Sequence, residues 1–251
     1  MNVLLLGDSH GNHMFVHGAL RWARDNGVDR VVQLGDFGYW PRQKSGQGFL
    51  KGVRKSSVDM GVGLYFIDGN HEDHDELDVL QARHPSADFI PVNNRPGSPI
   101  FIRRGARWEW DGMTFGSFGG AFSIDRARRV MHVSWFPQEM PDPSKIAGLG
   151  KVDVLLTHDA PLVPAPYLAA GTFVRDATSE ESQKTVYDAL VTTQPSWLVH
   201  GHWHCSYTNR VAGATVIGLA EDRSSLYASS VVVSTEDRML YSLSQWEYVN
   251  E

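Results

Sequence analysis

What this chain has little of narrows its biology before any motif is read. Its 251 residues hold one cysteine, Cys205, which excludes an intramolecular disulfide framework and fits a reducing compartment. No stretch approaches the roughly 20 consecutive apolar residues of a membrane-spanning helix. The N-terminus also lacks the basic region, apolar stretch and cleavage site of a signal peptide; its first apolar run, Val3 to Leu6, leads straight into Gly7-Asp8. These absences predict a cytoplasmic protein without a membrane partner. Basic residues are in deficit too: 23 Lys and Arg against 29 Asp and Glu leave a net charge of -6. A surface that follows nucleic-acid phosphates favours the opposite sign, so no dedicated nucleic-acid surface is expected. A nucleotide substrate stays open, because a bound metal ion reverses the local charge of a site. Internal repeats, low-complexity tracts and linkers are absent, and residues 1–251 read as a single domain.

What is present is, first, alternation. Val3 to Leu6, Val31 to Leu34 with one Gln, and Leu64 to Ile67 are short apolar runs, the signature of strands buried on both faces in a parallel sheet. Between them Phe15, Val16, Ala19, Leu20 and Ala23 recur at helical spacing behind a capping Asn12. Weaker helical patterns cover Phe49 to Met60 and Glu72 to Arg83. From Phe89 to Phe118 the pieces shorten into a hairpin region with a turn at Asp111-Gly112. Phe136 to Gly150 reads as a surface connection. Strand and helix then resume with Val152 to Leu156, a helix to about Val191, and Trp197 to Val199. A closing meander is expected from Thr215 to Leu219, Tyr227 to Val233 and Met239 to Leu243.

Second come five polar clusters, each after an apolar run: Asp8-Ser9-His10, Gly35-Asp36, Gly69-Asn70-His71-Glu72, Thr157-His158 and Gly201-His202-Trp203-His204. Ligands of open α/β sheets bind outside the carboxyl ends of the strands, where such loops converge. Carboxylate, amide and imidazole in these numbers suit first-row divalent or trivalent metals, and paired ions are a recurrent device for attack on phosphorus.

Taken in order, the clusters resemble the signature of the calcineurin-like metallophosphoesterases: Asp-x-His, Gly-Asp, Gly-Asn-His-Asp/Glu, a lone His and Gly-His-x-His, here spanning residues 7–204. The overall likeness is to small bacterial and phage members. The resemblance implies a four-layer α/β/β/α sandwich of two packed mixed sheets flanked by helices. It implies two metal ions, Mn foremost with Fe, Zn, Ni or Co as alternatives. Asp8, His10, Asp36 and His204 would hold one, and Asp36, Asn70, His158 and His202 the other. Asp36 would then bridge, as a carboxylate has lone pairs enough for two cations. A bridging hydroxide would attack a small phosphate ester, with phosphodiesters, including small or cyclic nucleotides, ahead of monoesters. A nuclease and a non-catalytic metal-binding scaffold are the alternatives.

His71 would be the catalytic histidine, protonating the leaving oxygen or stabilising the transition state, and a protonated imidazole suits that task. Some family members support this histidine with an Asp shortly after Gly-Asp; Phe37-Gly38-Tyr39-Trp40 stands here instead. The arginine-bearing block of the protein Ser/Thr phosphatases is missing as well. For substrate binding, Tyr39 is a candidate for stacking a base and Arg126, with Arg128 and Arg129, for clamping phosphate. Glu72 is expected only to start a helix.

Overall fold

The computed structural model describes residues 1–162 and 177–250. The first half alternates as the sequence predicts: β1 (Asn2–Leu6), α1 (His13–Asp25), β2 (Arg30–Leu34), α2 (Lys44–Met60), β3 (Gly63–Ile67) and α3 (His74–Arg83). Asn12 caps α1, its Oδ1 accepting from Phe15 N at 3.2 Å. Helix α3 begins two residues later than expected, because Asp73 supplies its cap and accepts from Glu76 N. Short strands follow: β4 (Phe89–Pro91), β5 (Ile100–Ile102), β6 (Arg107–Trp110) and β7 (Met113–Phe118). The β6–β7 turn at Asp111-Gly112 has φ of 45° and 78°, the left-handed pair that a tight hairpin requires. Next come α4 (Ile146–Leu149), β8 (Val154–Thr157), α5 (Ala177–Thr193) and β9 (Trp197–His200). The last elements are β10 (Tyr207–Val211), β11 (Ala214–Gly218), α6 (Leu226–Ser229), β12 (Ser230–Ser234), β13 (Met239–Ser242) and α7 (Leu243–Asn250).

Two mixed sheets result, ordered β13-β12-β1-β2-β3-β5-β4 and β10-β11-β9-β8-β7-β6. Strand alternation explains the layers. Val3, Leu5, Val32 and Leu34 point one way and meet Phe115, Val154, Leu156 and Val199 of the second sheet. Their neighbours Leu4, Leu6 and Val31 point the other way, onto Val16, Leu20, Phe49 and Leu77 of the first three helices. Leu155, Leu198 and Val216 cover the far face with Val186 and Leu190 of α5. These strands are therefore apolar at most positions because both faces are buried, each such side chain contributing about 1.5–3 kcal/mol; the buried Gln33 of β2 instead bonds the backbone of Gly7 and Gly35. The order of layers is α/β/β/α.

The sequence reading fails in three places. Phe136 to Gly150 is not merely a surface connection, since Phe136 and Glu139 are buried. Residues after His204 form no meander: β11 joins the second sheet beside β9, whereas β12 and β13 cross to the first sheet beside β1. Tyr227 lies in the short helix α6, and β10 is an additional edge strand, antiparallel to β11.

Candidate metal centre

Loops following β1, β2 and β3 meet loops following β8 and β9, so the five polar clusters of the sequence converge at one edge of the sandwich. Asp8 and Asp36 sit at the bottom, both fully buried or nearly so. Asp36 divides its oxygens: Oδ1 lies 3.3 Å from His158 Nε2 and Oδ2 3.5 Å from His10 Nε2. Asp8 Oδ2 is 3.0 Å from His204 Nε2 and 3.9 Å from His10 Nε2. Asn70 Oδ1 faces His158 Nε2 at 3.0 Å. The His202 ring stands edge-on to His158, centroids 5.0 Å apart, and its backbone N–H donates to Asp8 Oδ1 at 2.9 Å. Asp8, His10 and His204 form one set of ligand atoms close enough together for a single ion, and Asp8, Asp36 and His158 form another.

The backbone is shaped for this arrangement at some cost. His10, Asp36, His202 and His204 all have positive φ, between 44° and 62°, a region few non-glycine residues occupy and one where strain concentrates at functional sites. Two glycines permit the approach of the loops. A Cβ on Gly69 would run into the backbone and carboxylate of Asp36, and one on Gly201 into the carboxylate of Asp8.

Electrostatics show what the centre demands. Burial penalises both aspartates, yet the neighbouring imidazoles hold Asp36 well below the ordinary carboxylate range and Asp8 below it. Reciprocally, and against burial, Asp36 and Asp8 push His158 up to about 10 and His10 up to about 9. Buried anions facing imidazole nitrogens thus call for positive charge, which protons or cations can supply. The donor set, all carboxylate, amide and imidazole, fits first-row metal ions.

Outer contacts aim the ligand atoms. His158 Nδ1 bonds the Leu34 carbonyl at 2.8 Å, which leaves Nε2 toward Asn70 and Asp36. Asn70 Nδ2 donates to Ser123 Oγ at 2.9 Å, which leaves Oδ1 inward. Ser123 in turn bonds the buried Glu139.

Four residues around the centre escaped the sequence reading or were misread by it. Glu72 is no helix-start carboxylate: it is fully buried, accepts from Phe37 N and Gly69 N at 2.6 Å each and from Gly38 N at 3.3 Å, and ties the loop of Asp36 to that of Asn70. Glu221 and Asp222, just beyond β11, stand behind His204 and His10 at 3.3 and 3.2 Å. Their signal was available, since they too follow the carboxyl end of a parallel strand. Arg129 fills the gap left by the missing carboxylate, its Nη2 donating to His71 Nε2 at 2.6 Å.

His71 itself reaches the open side of the centre, Nε2 4.0 Å from Asp36 Oδ2. Burial, assisted by Arg129 and opposed by Asp36, lowers its pKa. A guanidinium that only donates requires Nε2 to accept, so the imidazole is neutral here, contrary to the expected protonated form. Tyr39 is buried and stacks on Phe66 in the core, so no face is left for a base. Arg126 lies over the Phe122 ring at 5.1 Å, and Arg129 takes the inward place. Trp203, between His202 and His204, is buried, with Nε1 donating to Asp159 Oδ1 at 2.9 Å.

Solved structures share this architecture. TT1561 of Thermus thermophilus aligns over 95% of this chain and 96% of its own at 12% identity and a TM-score of 0.57. A dimetal phosphatase from Danio rerio aligns over 92% of this chain and 91% of its own at 15% identity and 0.55. GAP50, the anchor in the inner membrane complex of Plasmodium, aligns over 92% of this chain and 80% of its own at 8% identity and 0.54. At such identities the likeness is one of fold. A comparison with curated protein sequences finds no match. The model of the calcineurin-like phosphoesterases matches residues 1–206, the stretch that carries all five clusters, and the chain belongs to that family.

Proposed function

We propose that this chain is a binuclear metal-dependent phosphoesterase acting on phosphodiesters, small or cyclic nucleotides foremost, with monoesters as weaker substrates. The division of Asp36, one oxygen toward His158 and the other toward His10, carries the reading. In it Asp8, His10 and His204 hold one ion with Asp36, while Asn70, His158 and His202 hold the second with the same carboxylate. Such a pair supplies positive charge that activates water and draws on phosphoryl oxygens, with Mn the first metal to test among those the donor set accepts.

The chain's own residues do the rest. His71 and Arg129 form a polar wall beside the centre, the imidazole 40% exposed and the guanidinium 8%. Because His71 is neutral and its Nε2 accepts from Arg129, the Nδ1–H is the donor left for a phosphoryl oxygen, and hydrogen bonding through it suits the residue better than delivery of a proton. Arg129 is engaged by Asp125 at 2.7 Å and by the Ser134 carbonyl. Its charge is therefore partly neutralised, which favours a singly charged diester over a dianionic monoester. Residues 1–251 are taken as one domain, since β12 pairs with β1 although it lies beyond the matched segment. Among the described residues no helix is long and apolar enough to cross a membrane.

The fold also serves the Plasmodium anchor protein, so a non-catalytic scaffold is the competing reading. Metal-stripped protein reloaded with Mn²⁺ should hydrolyse a chromogenic diester, and kcat/KM across monoesters, linear diesters and cyclic nucleotides should rank diesters first. His71→Ala should keep its metal and lose about 10²-fold or more in kcat, whereas Asp36→Ala should lose both. No turnover with any divalent ion would leave the scaffold standing.

A further inference from the structure

Glu221 and Asp222 lie outside the ligand set and belong to no cluster of the motif. Their carboxylates nonetheless meet the rear nitrogens of two proposed ligands. His10 Nδ1 is 3.2 Å from Asp222 Oδ1 and 3.9 Å from Glu221 Oε2, and His204 Nδ1 is 3.3 Å from Glu221 Oε2. Asp222 is itself fixed, because Asn12 Nδ2 donates to its Oδ2 at 2.8 Å. Both imidazoles consequently turn Nε2 toward Asp8.

The opposite half of the centre is backed differently. Behind His158 stands the Leu34 carbonyl, and behind Asn70 the Ser123 hydroxyl, neutral groups both. Among the described residues, the first half has carboxylates directly on the rear nitrogens of its imidazoles; in the other half Asp159 acts on His202 through its charge and Glu139 reaches Asn70 only through Ser123.

We propose that Glu221 and Asp222 are positioning residues that make the Asp8–His10–His204 half the tighter of two unequal cation sites, so that the centre fills in a fixed order. The inference rests on the binuclear reading above. Its physical basis is twofold. A carboxylate accepting from Nδ1–H fixes the tautomer with the lone pair on Nε2 and raises the basicity of that nitrogen. Two further anions within a few ångströms also favour a cation over water, in a partly buried place that salt screens poorly.

Metal-stripped full-length protein is titrated with Mn²⁺, free ion being followed by electron paramagnetic resonance. Wild type should show two separable affinities. Glu221→Gln, Asp222→Asn and their double variant should lower the tighter affinity, the double by about 10–100-fold, and leave the weaker one unchanged. Ser123→Ala should do the reverse. Thermal melts of the metal-free variants report folding, and the single variants stand in if the double variant is unfolded. Equal affinities in wild type, or an equal loss at both sites in the carboxylate variants, or no loss at all, would overturn the inference. Two unequal affinities that respond as expected in a protein without turnover would leave it standing and sink only the phosphoesterase reading. A wild type that binds no ion would overturn both.

Discussion

Replacing Glu72 by Gln isolates what a single buried carboxylate does for the geometry of the centre. In the native protein both oxygens accept: Oε1 from Phe37 N and Gly38 N, Oε2 from Gly69 N. An amide keeps the shape but turns one arm into a donor. If the NH₂ faces Gly69, that N–H loses its acceptor; if it faces Phe37 and Gly38, both of theirs do. Burial and Asp36 push the Glu72 carboxyl up to about 8, while the three amides favour the ionised form. A buried N–H left without an acceptor costs about 1–3 kcal/mol whichever ionisation state is replaced. For a chain of this size 1 kcal/mol corresponds to about 2–4 °C in Tm, so Glu72→Gln should lower Tm by roughly 2–12 °C. Differential scanning calorimetry of metal-stripped protein measures this. Because Glu72 ties the Asp36 loop to the Asn70 loop, Mn²⁺ affinity should fall in the same variant. A variant that melts with wild type and binds Mn²⁺ equally well would refute the assignment.

Gly201→Ala places a methyl group against the Asp8 carboxylate; the variant should fold by circular dichroism yet bind Mn²⁺ about tenfold or more weakly, and unchanged affinity would count against so close a packing of the two loops. A second expectation concerns pH. Against burial, Asp36 and Asp8 raise His10 to about 9 and His158 to about 10 from an unfolded value of 6.5. The folded state therefore holds these protons more tightly, and their stabilisation is complete below about pH 6.5 and lost as pH rises through 9–10. Melting curves of metal-stripped protein should show Tm falling across that window, with added Mn²⁺ flattening the profile. A metal-free Tm that rises from pH 7 to 9.5 would contradict the charge pairing.

Much of the fold was legible because its physics is local. Val3 to Leu6 is apolar at each position since alternate residues face a second sheet and a helix layer, and the same holds for Val31 and Val32. The candidate ligands were legible for a related reason: each follows a strand whose end lies at one edge of the sandwich. Failures begin where long-range geometry overrides local pattern. Ser230–Ser234 pairs with Asn2–Leu6 from the other end of the chain, and no turn signal near Thr215 distinguishes that crossing from a hairpin. Tyr39 follows the buried Phe37 at strand-like spacing, and both stack on Phe66; the bulk that suggested a stacking platform is bulk the core needed. Glu72 and Arg129 are harder still, since a carboxylate accepting three amides and a guanidinium bracing an imidazole look in sequence like any exposed charge. Glu221 and Asp222 differ in kind. They follow the apolar strand Ala214–Gly218, which runs parallel to β9, so the rule that found Asp8, Asp36 and His158 applies to them unaltered. The rule was stopped by the end of a motif at His204, whereas the physical criterion, polar side chains at the carboxyl end of a parallel strand, continues for one strand more.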